Sequence, residues 1–178
     1  MNENENLKTG AIRRIVLTGF MGSGKSTVGP LVAARLGWRF VDADPVIEAE
    51  AGLRIAEIFA RHGEAGFRRR ERETIVRLAA EDGLVLALGG GAIEDELTRA
   101  MLLSGQGTRL VHLEVELETT LRRCGDDPLR PVLSDRANLE ARYRKRLPLY
   151  RLAHATVCVD RLTPAEAAEA VARAAGRG

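Results

Sequence analysis

The stretch TGFMGSGKST, residues 18–27, limits the possible folds of this chain more than any other. It satisfies G-x-x-x-x-G-K-[ST] through Gly19, Gly24, Lys25 and Ser26. Such a loop works as the link between a buried strand and a helix, because its backbone N–H groups and the helix N-terminus together make an anion nest. The flanks agree: RIVLTG (14–19) reads as a buried strand and KSTVGPLVAARLG (25–37) as a helix ended by Gly37. Gly22, Ser23, Gly24, Lys25, Ser26 and Thr27 are therefore candidate nucleotide-binding residues. Lys25 supplies a point charge to the β/γ-phosphates, and the Ser26 hydroxyl completes Mg²⁺ coordination. Pro30 falls one to two turns into the helix, where a kink or a tightened first turn is expected.

Beyond the loop, short apolar runs alternate with helical patterns. Strands are expected at RFVDAD (39–44), LVLALGGG (84–91), RLVHLEV (109–115) and ATVCVD (155–160). Helices are expected near 45–52, 55–62, 64–81, 92–104, 116–124, 137–153 and 163–175, the last with Pro164 in its first turn. Strands of continuous apolarity alternating with helices imply a three-layer α/β/α fold around a five-stranded parallel sheet. Ligands of such sheets sit at the carboxyl ends of the strands, where GFMGSGKS, DAD and GGG all fall. The polar connection CGDDPLRPVLSD (124–135), with two prolines, reads as a mobile lid. Residues 1–12 read as a disordered leader and 13–178 as one domain.

Composition excludes several classes. A net charge of +2 gives little support to nucleic-acid binding, and no run approaches the 18 apolar residues of a membrane span. Cys124 and Cys158 are far apart without metal-ligand spacing, which suits a reducing, cytoplasmic setting. No N-K-x-D motif supports a GTPase, and LVLALGGG ends in glycine rather than a Walker B acid. Asp42 is then the best remaining source of a magnesium-side carboxylate.

The acceptor side has weaker signals. In VDADPVIE, Asp42 and Asp44 are two apart, on one side of an extended chain. Asp44 before Pro45 also reads as a helix N-cap with Pro at the first helical position, and both readings stand. Arg68 and Glu71 are i,i+3 neighbours, so the carboxylate can orient the guanidinium. Of the 27 basic residues, 24 are Arg, the side chain that grips carboxylates bidentately, though most of them fit a solvated surface. GGGA (89–92) offers unobstructed backbone N–H groups, and RLPLY (146–150) sets Arg146 just before a helix-interrupting Pro148.

In order, GFMGSGKST, DAD, IFxxxGExxFRxxE, LGGGA, LRPVL and RxPLY resemble shikimate kinase, from about residue 13 to 170. That family of small P-loop kinases phosphorylates the 3-hydroxyl of shikimate with MgATP on the way to aromatic amino acids. The resemblance implies that Asp44, Arg68, Gly89, Gly90, Gly91 and Arg146 bind shikimate. Asp44 becomes the candidate base, and Asp42 lies on the magnesium side through water. Arg130 of LRPVL would reach the transferring phosphate, and Arg123 would pack on adenine. Lys25, Asp44 and Arg130 form the expected catalytic set. The family's DSD is DAD here, which leaves both carboxylates in place, and Pro30 stands where a basic residue is usual. A shorter loop at VDRLTPAE leaves open whether Arg161 touches ATP. ATP and shikimate are the expected partners of a monomeric chain. A gluconate- or nucleotide-type kinase and a nucleotide sensor without catalysis are the alternatives.

Overall fold

Every residue of strand β1 (Arg14–Thr18) is buried, as a central strand covered on both faces must be. The computed structural model describes residues 11–124 and 136–176. The expected lid lies outside the described residues apart from Cys124, so Arg130 lies outside them too, as does the expected leader except for its last two residues.

The other strands are β2 (Arg39–Asp42), β3 (Leu84–Ala87), β4 (Thr108–Glu114) and β5 (Ala155–Cys158). All pair in parallel in the order β2-β3-β1-β4-β5. Leu17 lies level with both Ala87 and Val111, so the loop after β1 emerges between the ends of β3 and β4. The helices are α1 (Lys25–Leu36), α2 (Ala43–Ala51), α3 (Ile55–Leu78), α4 (Glu96–Ser104), α5 (Leu117–Cys124), α6 (Arg136–Tyr150) and α7 (Pro164–Ala174). Helices α1 and α7 pack on each other, while α4 packs on β4 with α3 beside it, completing the three layers. The core is a continuous aliphatic cluster centred on Ile15, Val16, Leu17, Val85, Leu86 and Val111.

Helix α1 runs unbroken through Pro30, which forfeits only the bond to the Ser26 carbonyl while its φ stays helical. Pro148 likewise does not interrupt α6, which continues to Tyr150 and ends there rather than at 153. The carbonyl that Pro148 leaves unbonded belongs to exposed Arg144, within reach of water. The single helix expected over 92–104 divides into a 3-10 turn, Ala92–Glu94, and α4. Asp95 makes the division, because its carboxylate accepts from Thr98 N at 2.9 Å and caps α4. The helices expected at 55–62 and 64–81 are both present along α3, and they meet at Gly63, whose φ of 68° and ψ of −179° break the helix where expected; the second ends at Leu78.

The sheet's two ends differ. At the amino end, Arg14 is only 6% exposed and ties three segments together. It donates to Glu81 O at 3.0 Å, Gln106 O at 3.0 Å and the Asp82 carboxylate at 2.9 Å. The sole tryptophan, Trp38, sits just before β2 at this same end, its backbone N–H donating to Ala33 O at 2.9 Å. The carboxyl end is open.

Candidate active site

Gly24 caps α1 at φ 89°, a left-handed conformation that presents the helix N-terminus with no side chain in front of it. Lys25 folds back over the loop and donates to Gly19 O at 2.7 Å, Phe20 O at 3.1 Å and Ser23 Oγ at 3.3 Å. Its ammonium is thus held beside the nest. The Ser26 hydroxyl donates to Asp42 Oδ2 at 2.8 Å, joining the loop to the end of β2.

Asp42 does more than the sequence reading foresaw. Its other oxygen, Oδ1, accepts from Asp44 N at 3.2 Å, so Asp42 and not Asp44 is the N-cap of α2. Both expectations for Asp44 are corrected together. The extended chain stops at Asp42, Ala43 is the first helical residue, and Pro45 is the third. Pro45 is tolerated there because amides of the first turn have no intrahelical partner. Asp44 projects from the first turn of α2 over the glycine run. A Cβ on Gly89 would lie 2.7 Å from Asp44 Oδ1 and 3.0 Å from Glu71 Oε1. Burial, and next the charge of Asp42, hold the Asp44 carboxyl above its ordinary value.

Arg68 lies against Gly91 and is pinned from inside by Glu71 at 2.5 Å, as the i,i+3 spacing implied. The Glu71 side chain is only 3% exposed, and burial pushes its pKa up to about 7 in spite of Arg68. Arg146 approaches the same glycines from α6, its Nη1 3.6 Å from where a Gly90 Cβ would be. Two residues that the sequence reading did not single out complete the group. Tyr150 donates to Gly90 O at 2.6 Å and stacks on His112 with centroids 5.1 Å apart, fixing the glycine run from below. Glu94 bonds Arg146 through Nε at 3.0 Å and Nη2 at 2.9 Å, and Lys145 at 2.7 Å. Lys145 and Arg146 hold its carboxyl below the ordinary range, although burial, the largest single influence, acts the other way.

A cavity of about 960 Å³ runs along this edge. Its wall includes Gly22 to Thr27, Asp42, Asp44, Gly89 and Gly90, so loop and glycine run open into one space. At its far end Val159, Leu162 and Ala167 give an apolar surface; Arg161 is exposed and not part of the wall. Arg123 lines the cavity too, donating to Gly22 O at 3.0 Å and Val159 O at 3.2 Å. Among the described residues, no group of three or more His, Cys, Asp or Glu side chains could hold a metal.

A family model described as "Shikimate kinase" matches residues 21–175. The chain belongs to the shikimate kinase family. A shikimate kinase of Thermobifida fusca is 47% identical over 161 residues, covering 89% of this chain and 92% of the relative. One of Salinibacter ruber is 46% identical over 160 residues, covering 83% and 78%. Among solved structures, a shikimate kinase from Acinetobacter baumannii in complex with shikimate superposes with a TM-score of 0.84. It is 37% identical, and the match covers 91% of this chain and 92% of that one. Membership in the shikimate kinase family makes the chain an ATP-dependent kinase with an alcohol acceptor, and decides against the gluconate-type and sensor alternatives. Among the described residues no helix is long and apolar enough to cross a membrane.

Proposed function

We propose that the chain transfers the γ-phosphoryl group of MgATP to the 3-hydroxyl of shikimate across the carboxyl edge of its sheet. The observation that carries this reading is the convergence of Arg68 and Arg146, from α3 and α6, on one glycine run beside Asp44. Two guanidiniums suit a monoanionic carboxylate, and a half-buried carboxylate beside them suits a ring hydroxyl.

In this reading the N–H groups of Gly22 to Thr27 cradle the ATP phosphates, and Lys25 turns its ammonium from the loop carbonyls to the β/γ-phosphates. Arg123 lies at the adenine end. Ser26 and Asp42 would hold Mg²⁺, Asp42 through water, since the 2.8 Å bond between them marks a place where a hydroxyl and a carboxylate already meet. When bound, the ion neutralises charge on the phosphates. Asp44 orients the acceptor hydroxyl and takes its proton as the new O–P bond forms and the bond to the β-phosphate oxygen breaks. The raised affinity of Asp44 for a proton favours that transfer. Arg130, outside the described residues, is assigned to the transferring phosphate by its motif. In this reading the chain works as a monomer in the cytoplasm, whose reducing conditions suit two cysteines outside any disulfide.

The test is coupled ADP release with shikimate, gluconate or a nucleoside monophosphate as acceptor. Turnover with shikimate alone is expected, and its absence in folded protein overturns the reading. Arg68→Ala should weaken shikimate binding and leave ATP binding nearly unchanged; equal loss of both would make Arg68 a structural residue.

A further inference from the structure

Glu94 holds a position that the roles above do not use. It ends the 3-10 turn that follows the glycine run, and its carboxylate lies between the two arginines assigned to the substrate. Oε2 takes both Nε and Nη2 of Arg146 and stands 4.0 Å from Arg68 Nη2. Oε1 takes Lys145 at 2.7 Å. A carboxylate gripped by one guanidinium and facing a second at 4.0 Å stands where the substrate's own carboxylate is expected. Asp44, Gly89 and Gly90, in the wall of the cavity, adjoin this pair of arginines. Between the two arginines stands the Glu94 carboxylate itself.

Glu71 makes a useful contrast. It is 3% exposed, belongs to the same long helix as Arg68, and approaches that guanidinium from the protein interior. It already orients Arg68. Glu94 is 17% exposed and rides on a single 3-10 turn, so rotation about its side-chain bonds frees the clamp without unpacking a helix. Lys145, 73% exposed, is next to Arg146 in sequence and is one of only three lysines.

Resting on the function proposed above, we propose that Glu94 is an internal carboxylate that occupies the Arg68–Arg146 anion site and yields it to the carboxylate of shikimate. Lys145 keeps the displaced Glu94 paired, so one ion pair is exchanged for another and no guanidinium is left uncompensated at any stage. Acceptor binding is then a competition between two carboxylates. Neutral polyols, which cannot displace Glu94, are refused.

Calorimetric titration of shikimate into nucleotide-free protein tests this. Glu94→Gln removes the competing charge and should lower the Kd by on the order of fivefold, as expected for one charge several ångströms away in a partly solvated site. KM for shikimate should fall in step while KM for ATP stays constant. The same variant should leave binding of the methyl ester of shikimate unchanged, because the ester has no carboxylate to compete. Lys145→Ala should weaken shikimate binding in the native background and have no effect when combined with Glu94→Gln, which gives a second test should either single variant fold poorly. A higher Kd in Glu94→Gln would make Glu94 a positioning residue for Arg146, and an unchanged Kd would mean that the clamp is free; either overturns the proposal. Absence of shikimate binding to the native chain would instead overturn the proposed function, and this inference with it.

Discussion

Gly91→Ala isolates the contribution of Arg68 placement. Gly91 has φ −94° and ψ −9°, which alanine adopts without strain, so the backbone contributes nothing to the outcome. The new methyl would lie 2.3 Å from Arg68 Nη2, 2.8 Å from Nη1 and 2.9 Å from Cζ. Contacts between such atoms settle near ~3.5 Å, so the guanidinium must retreat by about 1 Å. It cannot do so freely, because Glu71 grips Nη1 at 2.5 Å from a buried position. Overpacking of this kind costs about 1–3 kcal/mol, or roughly 3–9 °C in Tm for a chain of this size. The larger effect falls on binding: a 1 Å misplacement of a substrate-positioning group costs on the order of a hundredfold. Steady-state kinetics should therefore show KM for shikimate raised by up to about a hundredfold with KM for ATP unmoved. Gly90→Ala is the stability control, since its methyl would meet nothing closer than 3.6 Å. In an Arg68→Ala background, Gly91→Ala should add almost nothing, because the two changes act through one group. Native affinity for shikimate in Gly91→Ala, or a parallel rise in KM for ATP, would refute the reasoning.

Lys25→Met should lower kcat on the order of a hundredfold in the ADP-release assay, as removal of one preorganised charge does, with circular dichroism unchanged. Asp42→Asn should raise the Mg²⁺ concentration needed for half-maximal rate. The same substitution should move the acid limb of the kcat–pH profile to lower pH, because Asp42 is among the influences that hold Asp44 above the ordinary carboxylate range. Glu71 ionises near 7 in the folded protein against an ordinary value of 4.5, so the folded state binds its proton more tightly than the unfolded state. Its contribution to stability is complete below about 4.5 and is lost as pH rises through 7. Urea midpoints between pH 5 and 8 should then fall less steeply with pH in Glu71→Gln than in the native chain, and parallel slopes would contradict this.

What could be read from the sequence depended on how far apart along the chain the cooperating groups lie. The phosphate loop is contiguous, and its strand and helix flank it directly, so donor site and sheet polarity were both legible. Arg68 and Glu71 were legible as a pair because helical periodicity puts i and i+3 together. Asp42 was harder to read. Its partner Ser26 is on another element, and the two-residue spacing to Asp44 fitted a strand as well as a helix start. Glu94 had no signal at all. In AIED it looks like any acid near a helix start, and only the folding of α6 against the turn brings Lys145 and Arg146 to it. Tyr150 was visible inside RLPLY, but its hydroxyl gains meaning only from the carbonyl of Gly90. Pro148 misled for the opposite reason: it obeys a local rule that a helix can override when only one hydrogen bond is at stake.

The position of Trp38 has a practical consequence for spectroscopy. The chain's one indole stands at the amino end of β2, and the four residues of that strand, at ~3.3 Å each, put about 13 Å between it and Asp42. Its emission is thus a clean reporter of whether α1 and β2 remain packed, uncoloured by what fills the opposite edge. Denaturation can be followed by intrinsic fluorescence in the presence of saturating nucleotide or acceptor without a binding signal to subtract. An acceptor-induced change in that emission would in turn announce motion transmitted through the whole depth of the sheet.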